Sequence, residues 1–216
     1  MTTGAGRVCP RCGHELSNDA ASAGLCAHCL LKAGCGHDYT VVSVLGQGEH
    51  GTVYLAEQAP SGRLVALKVL AASGMTDAIV ERVRRLAPLL NALAHPCAAR
   101  MLDIGLNEQR LPYLAGEYVR GGPITRYCER TQAPVSERVD LLAAVSSVLG
   151  AAHARGVVHG GIKGSNILIS ARTGGPAITV TDFGMRAGDV AADNLALMKL
   201  ADQLLQPGAG RGRFTL

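Results

Sequence analysis

Val157-Val158-His159-Gly160-Gly161-Ile162-Lys163-Gly164-Ser165-Asn166-Ile167-Leu168, with Asp182-Phe183-Gly184 downstream, is the stretch on which the reading of this chain turns. Taken singly its parts are ordinary: Asp-Phe-Gly suits packing and a turn, and Asn166 can hydrogen-bond its own loop. The segment before it, Ser136–Arg155, reads as a long amphipathic helix ending at Gly156, a residue suited to the left-handed position past a helix C-terminus. After it, Asp193–Leu205 carries Leu195, Leu197, Leu200, Leu204 and Leu205 on a broad apolar helical face.

Towards the N-terminus the period changes. Thr40–Leu45, Thr52–Glu57 and, after a Pro60-Ser61-Gly62 turn, Leu64–Leu70 read as three antiparallel strands. Asp77–Ala94 repeats Ile79, Val83, Leu86 and Leu90 at helical spacing, with Thr76 as N-cap and Pro88 expected to bend or shorten the helix. Ala99–Gly105 and Tyr113–Val119 are two further strands. Gly46-Gln47-Gly48-Glu49-His50-Gly51-Thr52-Val53 falls between two strands, where glycines let a hairpin backbone approach phosphates rather than open a helix.

Val65-Ala66-Leu67-Lys68 follows that glycine turn on the next strand, and together with His159–Leu168 and Asp182-Phe183-Gly184 it resembles the motif set of bacterial Ser/Thr protein kinases. Glu117-Tyr118-Val119 is similar to the family's hinge, and the resemblance covers residues 39 to about 205. It implies an α+β, protein-kinase-like two-lobed fold: a five-stranded antiparallel N-lobe plus one helix over about 39–119, and a truncated helical C-lobe over about 120–205. It also implies ATP with Mg²⁺. Gly46, Gly48 and Gly51 would cover the phosphates, Lys68 would pair with them, and Val53, Ala66 and Leu168 would sandwich adenine. Glu117 and Val119 would form the hinge, while Asn166 and Asp182 match the two magnesium positions.

The departures from the family pattern converge on one step. Where the family has an aspartate that takes the substrate hydroxyl proton, this chain has Gly161, so no catalytic residue is intact there. Counting back from Leu93-Ala94-His95-Pro96, the helix glutamate that should pair with Lys68 is Leu86, and Glu81 lies about 140° away round the helix. Only residues 185 to 192 separate Asp-Phe-Gly from Asp193, where the family carries a long activation segment, and Gly160 replaces the arginine that holds a phosphorylated one. Gly116 stands at the back of the pocket. The resemblance thus implies a pseudokinase that binds ATP and acts as a regulatory or scaffolding module on a protein partner. Two alternatives stand beside it: a slow or atypical Ser/Thr kinase transferring the γ-phosphate, and a zinc-ribbon interaction protein with a vestigial kinase remnant.

Ahead of these motifs, Cys9-x-x-Cys12 and Cys26-x-x-Cys29 have the spacing of paired knuckles that complete a tetrahedral Zn²⁺ site, so residues 1–35 read as a zinc ribbon and 206–216 as a flexible tail. Some bacterial Ser/Thr kinases carry such a ribbon in front. His14, His28, Cys35 and His37 read as bystanders or linker. The net charge of +4, with no run of like charges, argues against nucleic acid as partner. With no stretch of about 18 apolar residues and a polar start, the expected location is the cytoplasm.

Overall fold

The computed structural model describes residues 39–48, 51–70, 76–106, 111–172 and 175–206. The expected zinc ribbon, with Cys9, Cys12, Cys26 and Cys29, lies outside the described residues, as does the expected tail after Gln206. In chain order the elements are β1 (Tyr39–Gly48), β2 (Gly51–Gln58), β3 (Arg63–Leu70), α1 (Thr76–Leu93), β4 (Met101–Leu106), β5 (Pro112–Glu117), β6 (Gly122–Pro123), α2 (Ile124–Thr131), α3 (Val135–His153), a 3₁₀ turn (Gly164–Asn166), β7 (Ile167–Arg172), β8 (Gly175–Val180) and α4 (Val190–Leu205). The chain divides into two compact units. Among the described residues, one holds those between 39 and 76 together with those between 102 and 118, and the other holds Asp77–Met101 and those between 119 and 206.

The first unit is a five-stranded sheet in the order β1-β2-β3-β5-β4, and its β1–β2, β2–β3 and β3–β5 pairs are antiparallel. Its strands follow the period of two. Tyr54, Ala56, Val65, Leu67, Val69, Tyr113 and Ala115 are buried in one cluster, while the alternating Val53, Leu55, Ala66 and Lys68 are half-buried. The Pro60-Ser61-Gly62 turn forms between β2 and β3: Gly62 takes φ +66° and donates its N–H to the Gln58 carbonyl. The Asp103 carboxylate of β4 accepts the hydroxyls of Tyr39, at 3.0 Å, and Tyr113, at 2.7 Å.

The second unit is built round one core. α1 contributes Leu86, Leu90 and Leu93, α3 Val145, Val148 and Leu149, α4 Leu200 and Leu204, and a small antiparallel sheet β6-β7-β8 adds Ile167, Ile169, Ile178 and Val180. The expected early end of α1 is not found: the helix runs 18 residues through Pro88. Burial of Ile79, Val80, Val83, Leu86, Leu90 and Leu93 outweighs a proline penalty of about 3 kcal/mol. The helix ends at Leu93, with Ala94 at φ +46°. It groups with the second unit rather than with the sheet, because its leucines join that unit's core and the chain after it is tied to β8 through Ala99 N–H to the Val180 carbonyl and Val180 N–H to the Cys97 carbonyl.

α3 ends at His153, and Gly156, at φ +71°, follows as the left-handed residue while Val157 N–H closes back on the Ala152 carbonyl. α4 begins at Val190, ahead of the expected Asp193, because the Asp189 side chain caps it by accepting the Ala192 N–H at 2.7 Å. Of its five leucines, Leu195 is 53% exposed and stands off the core stripe, which corrects the broad face read from the sequence. No described helix is long and apolar enough to cross a membrane.

Candidate functional site

The sheet register sorts the expected nucleotide residues of the first unit. Lys68 lies opposite Val53 on β2 and Leu114 on β5, and Ala66 lies opposite Leu55 and Gly116. The period of two therefore sets Val53, Ala66, Lys68 and Gly116 on one face, away from the unit's buried cluster. The glycines of the β1–β2 hairpin divide into two kinds. Gly51 has φ +135° and its position leaves no room for a Cβ beside the Val69 carbonyl, so the fold itself needs it. Gly46 and Gly48 have nothing within 4 Å of a Cβ, so their backbone faces open space, as a phosphate cradle requires. Glu117 ends β5 exposed, and the boundary between the units falls between Tyr118 and Val119, inside the expected hinge.

In the second unit the loop between α3 and β7 is held from beneath by Asp193. This carboxylate, 1% exposed, accepts the backbone N–H groups of His159 at 2.8 Å and Gly160 at 2.9 Å, and pairs with His153 Nε2 at 2.9 Å. His159 is fully buried. Its Nε2 lies 2.9 Å from the Thr181 carbonyl and so carries the proton, its ring lies tilted against Phe183 with centroids 4.6 Å apart, and its carbonyl accepts the Gly184 N–H at 3.0 Å. Among the described residues, His159 Nδ1 is the buried side-chain polar atom with no hydrogen-bond partner.

Burial holds the His159 imidazole below its ordinary range, with the Asp193 carboxylate pushing the other way. The folded state thus keeps this ring neutral where the unfolded chain, below about pH 6.5, takes a proton. Stability is expected to fall as pH drops through that value, by up to about 1.4 kcal/mol per pH unit from this group. A His159→Gln variant followed by urea denaturation between pH 7 and 5 should show a shallower decline than the parent, and parallel declines would refute the assignment.

Asn166 is buried and donates from Nδ2 to the Gly161 carbonyl at 2.9 Å, which leaves its amide oxygen with only a long 3.5 Å contact from the Ser165 hydroxyl. Asp182 takes φ +65°, a left-handed conformation that costs a residue with a Cβ roughly 1–3 kcal/mol and persists where the surroundings impose it. The next glycine, Gly184, sits under Leu86: a Cβ there would lie 2.7 Å from Leu86 Cδ1. The position expected to hold a glutamate is thus an aliphatic lid on the Asp-Phe-Gly turn. Arg82, one turn earlier, reaches the Gly184 carbonyl at 3.5 Å.

The segment after this turn doubles straight back. Gly160 has φ +72° and no room for a Cβ, since the Arg186 carbonyl occupies that space. Gly161 differs, for a Cβ there would have Arg186 Cδ at 3.9 Å and His159 Nδ1 at 4.0 Å as its nearest neighbours. Space for a side chain exists at 161, but no carboxylate stands in it.

The protein kinase domain family model matches residues 39–196. The chain belongs to the protein kinase family. Serine/threonine-protein kinase Pkn1 of Myxococcus xanthus is 35% identical over 158 residues, 72% of this chain and 22% of Pkn1. Serine/threonine-protein kinase PknB of Mycobacterium tuberculosis is 32% identical over 185 residues, 81% of this chain and 29% of PknB. The matched region therefore spans less than a third of either relative. The crystal structure of the Mycobacterium tuberculosis PknI kinase domain superposes with a TM-score of 0.66 at 29% identity, covering 80% of this chain and 74% of that one.

The residues expected to bind nucleotide are divided between the two units: Gly46, Gly48, Gly51, Val53, Ala66, Lys68 and Glu117 belong to the first, and Val119, Asn166, Leu168 and Asp182 to the second, with Leu168 half-buried on β7. Sequence reasoning took Asp193 only as the start of a helix and missed that it anchors the loop. Its one available signal was an acidic residue on the inward side of an apolar helix.

Proposed function

We propose that this kinase domain binds a nucleoside triphosphate with magnesium, is impaired in phosphoryl transfer, and serves as a regulatory or scaffolding module for a protein partner in the cytoplasm. The observation that carries this reading is Gly161: at the position from which the family's aspartate takes the hydroxyl proton, the chain offers no acceptor, while the surrounding loop stays ordered by Asp193 and Asn166. Magnesium fits the residues present, because Asn166 has committed its amide nitrogen and kept its oxygen, and Asp182 is held in a strained backbone state. These two would hold the ion, which supplies counter-charge to the phosphates.

A slower alternative, residual γ-phosphate transfer, is favoured by that same Asp182 geometry. Loss of a general base costs about 10²–10⁴ in rate, against roughly 1–100 s⁻¹ for kinases. Calorimetric titration with ATP and Mg²⁺ should give saturable binding that a Lys68→Ala/Asp182→Ala variant loses, and γ-phosphate transfer to a generic protein substrate should stay below about 1 s⁻¹. Turnover in the ordinary kinase range would sink the impaired reading. For the N-terminal cysteines we propose one structural Zn²⁺ on Cys9, Cys12, Cys26 and Cys29, to be checked by metal content before and after Cys9→Ser/Cys12→Ser substitution.

A further inference from the structure

We infer that Arg186 takes the place of the missing carboxylate and binds the terminal phosphate of the nucleotide, so that the site distinguishes a nucleoside triphosphate from a diphosphate. The inference rests on the nucleotide-binding reading above and names a residue that reading does not use.

Its first support is position. The segment after Asp-Phe-Gly is pressed onto the loop at Gly160: the Arg186 carbonyl fills the space of a Gly160 side chain, and a Cβ on Gly188 would lie 3.2 Å from Gly160 Cα. Backbone packed this closely fixes where the Arg186 side chain starts. From there the chain turns to Gly161, with Cδ 3.9 Å from the point where a Gly161 Cβ would stand. A side chain at 161 would stand against the stem of this arginine, and with glycine there the stem runs past an unfilled position.

Its second support is chemistry. A guanidinium stays protonated at any physiological pH, so it cannot take a hydroxyl proton and cannot replace the base. It presents a rigid fork of N–H donors that matches phosphate oxygens. An arginine near Gly161, whose carbonyl is held by Asn166, in place of a carboxylate at 161 reverses the sign of charge there: a group that repels phosphate oxygens is lost and one that attracts them is gained. A diphosphate lacks the oxygens this group would meet. Such an arrangement favours holding the triphosphate over transferring from it.

The test is calorimetric titration of the full chain with ATP and with ADP, each with Mg²⁺, for the wild type, Arg186→Ala and Arg186→Lys. Arg186 is exposed, so its truncation opens no cavity in the core, and melting temperatures of the three proteins are measured alongside. Arg186→Ala is expected to weaken ATP about tenfold, the worth of one charge-assisted contact, and to change ADP less than about twofold. Arg186→Lys should fall between, keeping the charge without the fork. Equal weakening of both nucleotides, or no change for either, overturns the assignment of Arg186 alone. A wild type that binds neither nucleotide overturns the nucleotide-binding reading itself.

Discussion

Asp193→Ala is expected to lower the unfolding free energy by about 3–5 kcal/mol, because it removes a buried acceptor and strands its donors. The His159 and Gly160 N–H groups and the His153 ring all converge on this one carboxylate, so its loss takes the acceptor from two backbone donors, one of them on the fully buried His159. Asp193→Asn should cost less, since one amide oxygen still accepts. Urea denaturation followed by circular dichroism reads both. A cost under about 1 kcal/mol for the alanine variant would mean that the loop finds other acceptors and that Asp193 does not anchor it.

Gly160→Ala is the second large effect, again about 3–5 kcal/mol. The left-handed φ of +72° contributes roughly 1–3 kcal/mol, and displacement of the Arg186 carbonyl about as much again. Restoring the family's arginine at 160 should therefore damage the fold rather than repair the enzyme. Gly161→Ala next door should stay within about 1 kcal/mol, since it has open space and no left-handed backbone. Similar losses at both glycines would refute the steric account.

The motifs were legible in the sequence because each is a chemical pattern at short range: a glycine hairpin, a lysine on the following strand, Asp-Phe-Gly. Strands β1–β3 were legible for a related reason, since alternation with a Pro-Ser-Gly turn is local. What escaped was decided by packing at long range. Nothing near Pro88 in the chain says that burial of six apolar residues will carry the helix on through it. The short β6–β8 sheet and α2 went unread because two of those strands run through the loop-like text around Gly122 and Gly175. The loss of the arginine at Gly160 was read as the absence of an activation loop to hold. The structure adds a second cause: the shortened segment needs the space.

Leu86, in the position where the family keeps a glutamate, also changes what the chain can be made to do. In protein kinases generally, the ion pair between the helix glutamate and the lysine must be in place for activity, and helix position controls it. Here Leu86, Leu90 and Leu93 are sunk in the same core as Phe183. Pulling them out would expose three leucines at about 1.5–3 kcal/mol each, a sum comparable to the whole stability of a domain of this size. Burial on this scale pins the helix to its core. On the regulatory reading proposed above, a signal would then be carried by what the domain binds rather than by a swing of this helix.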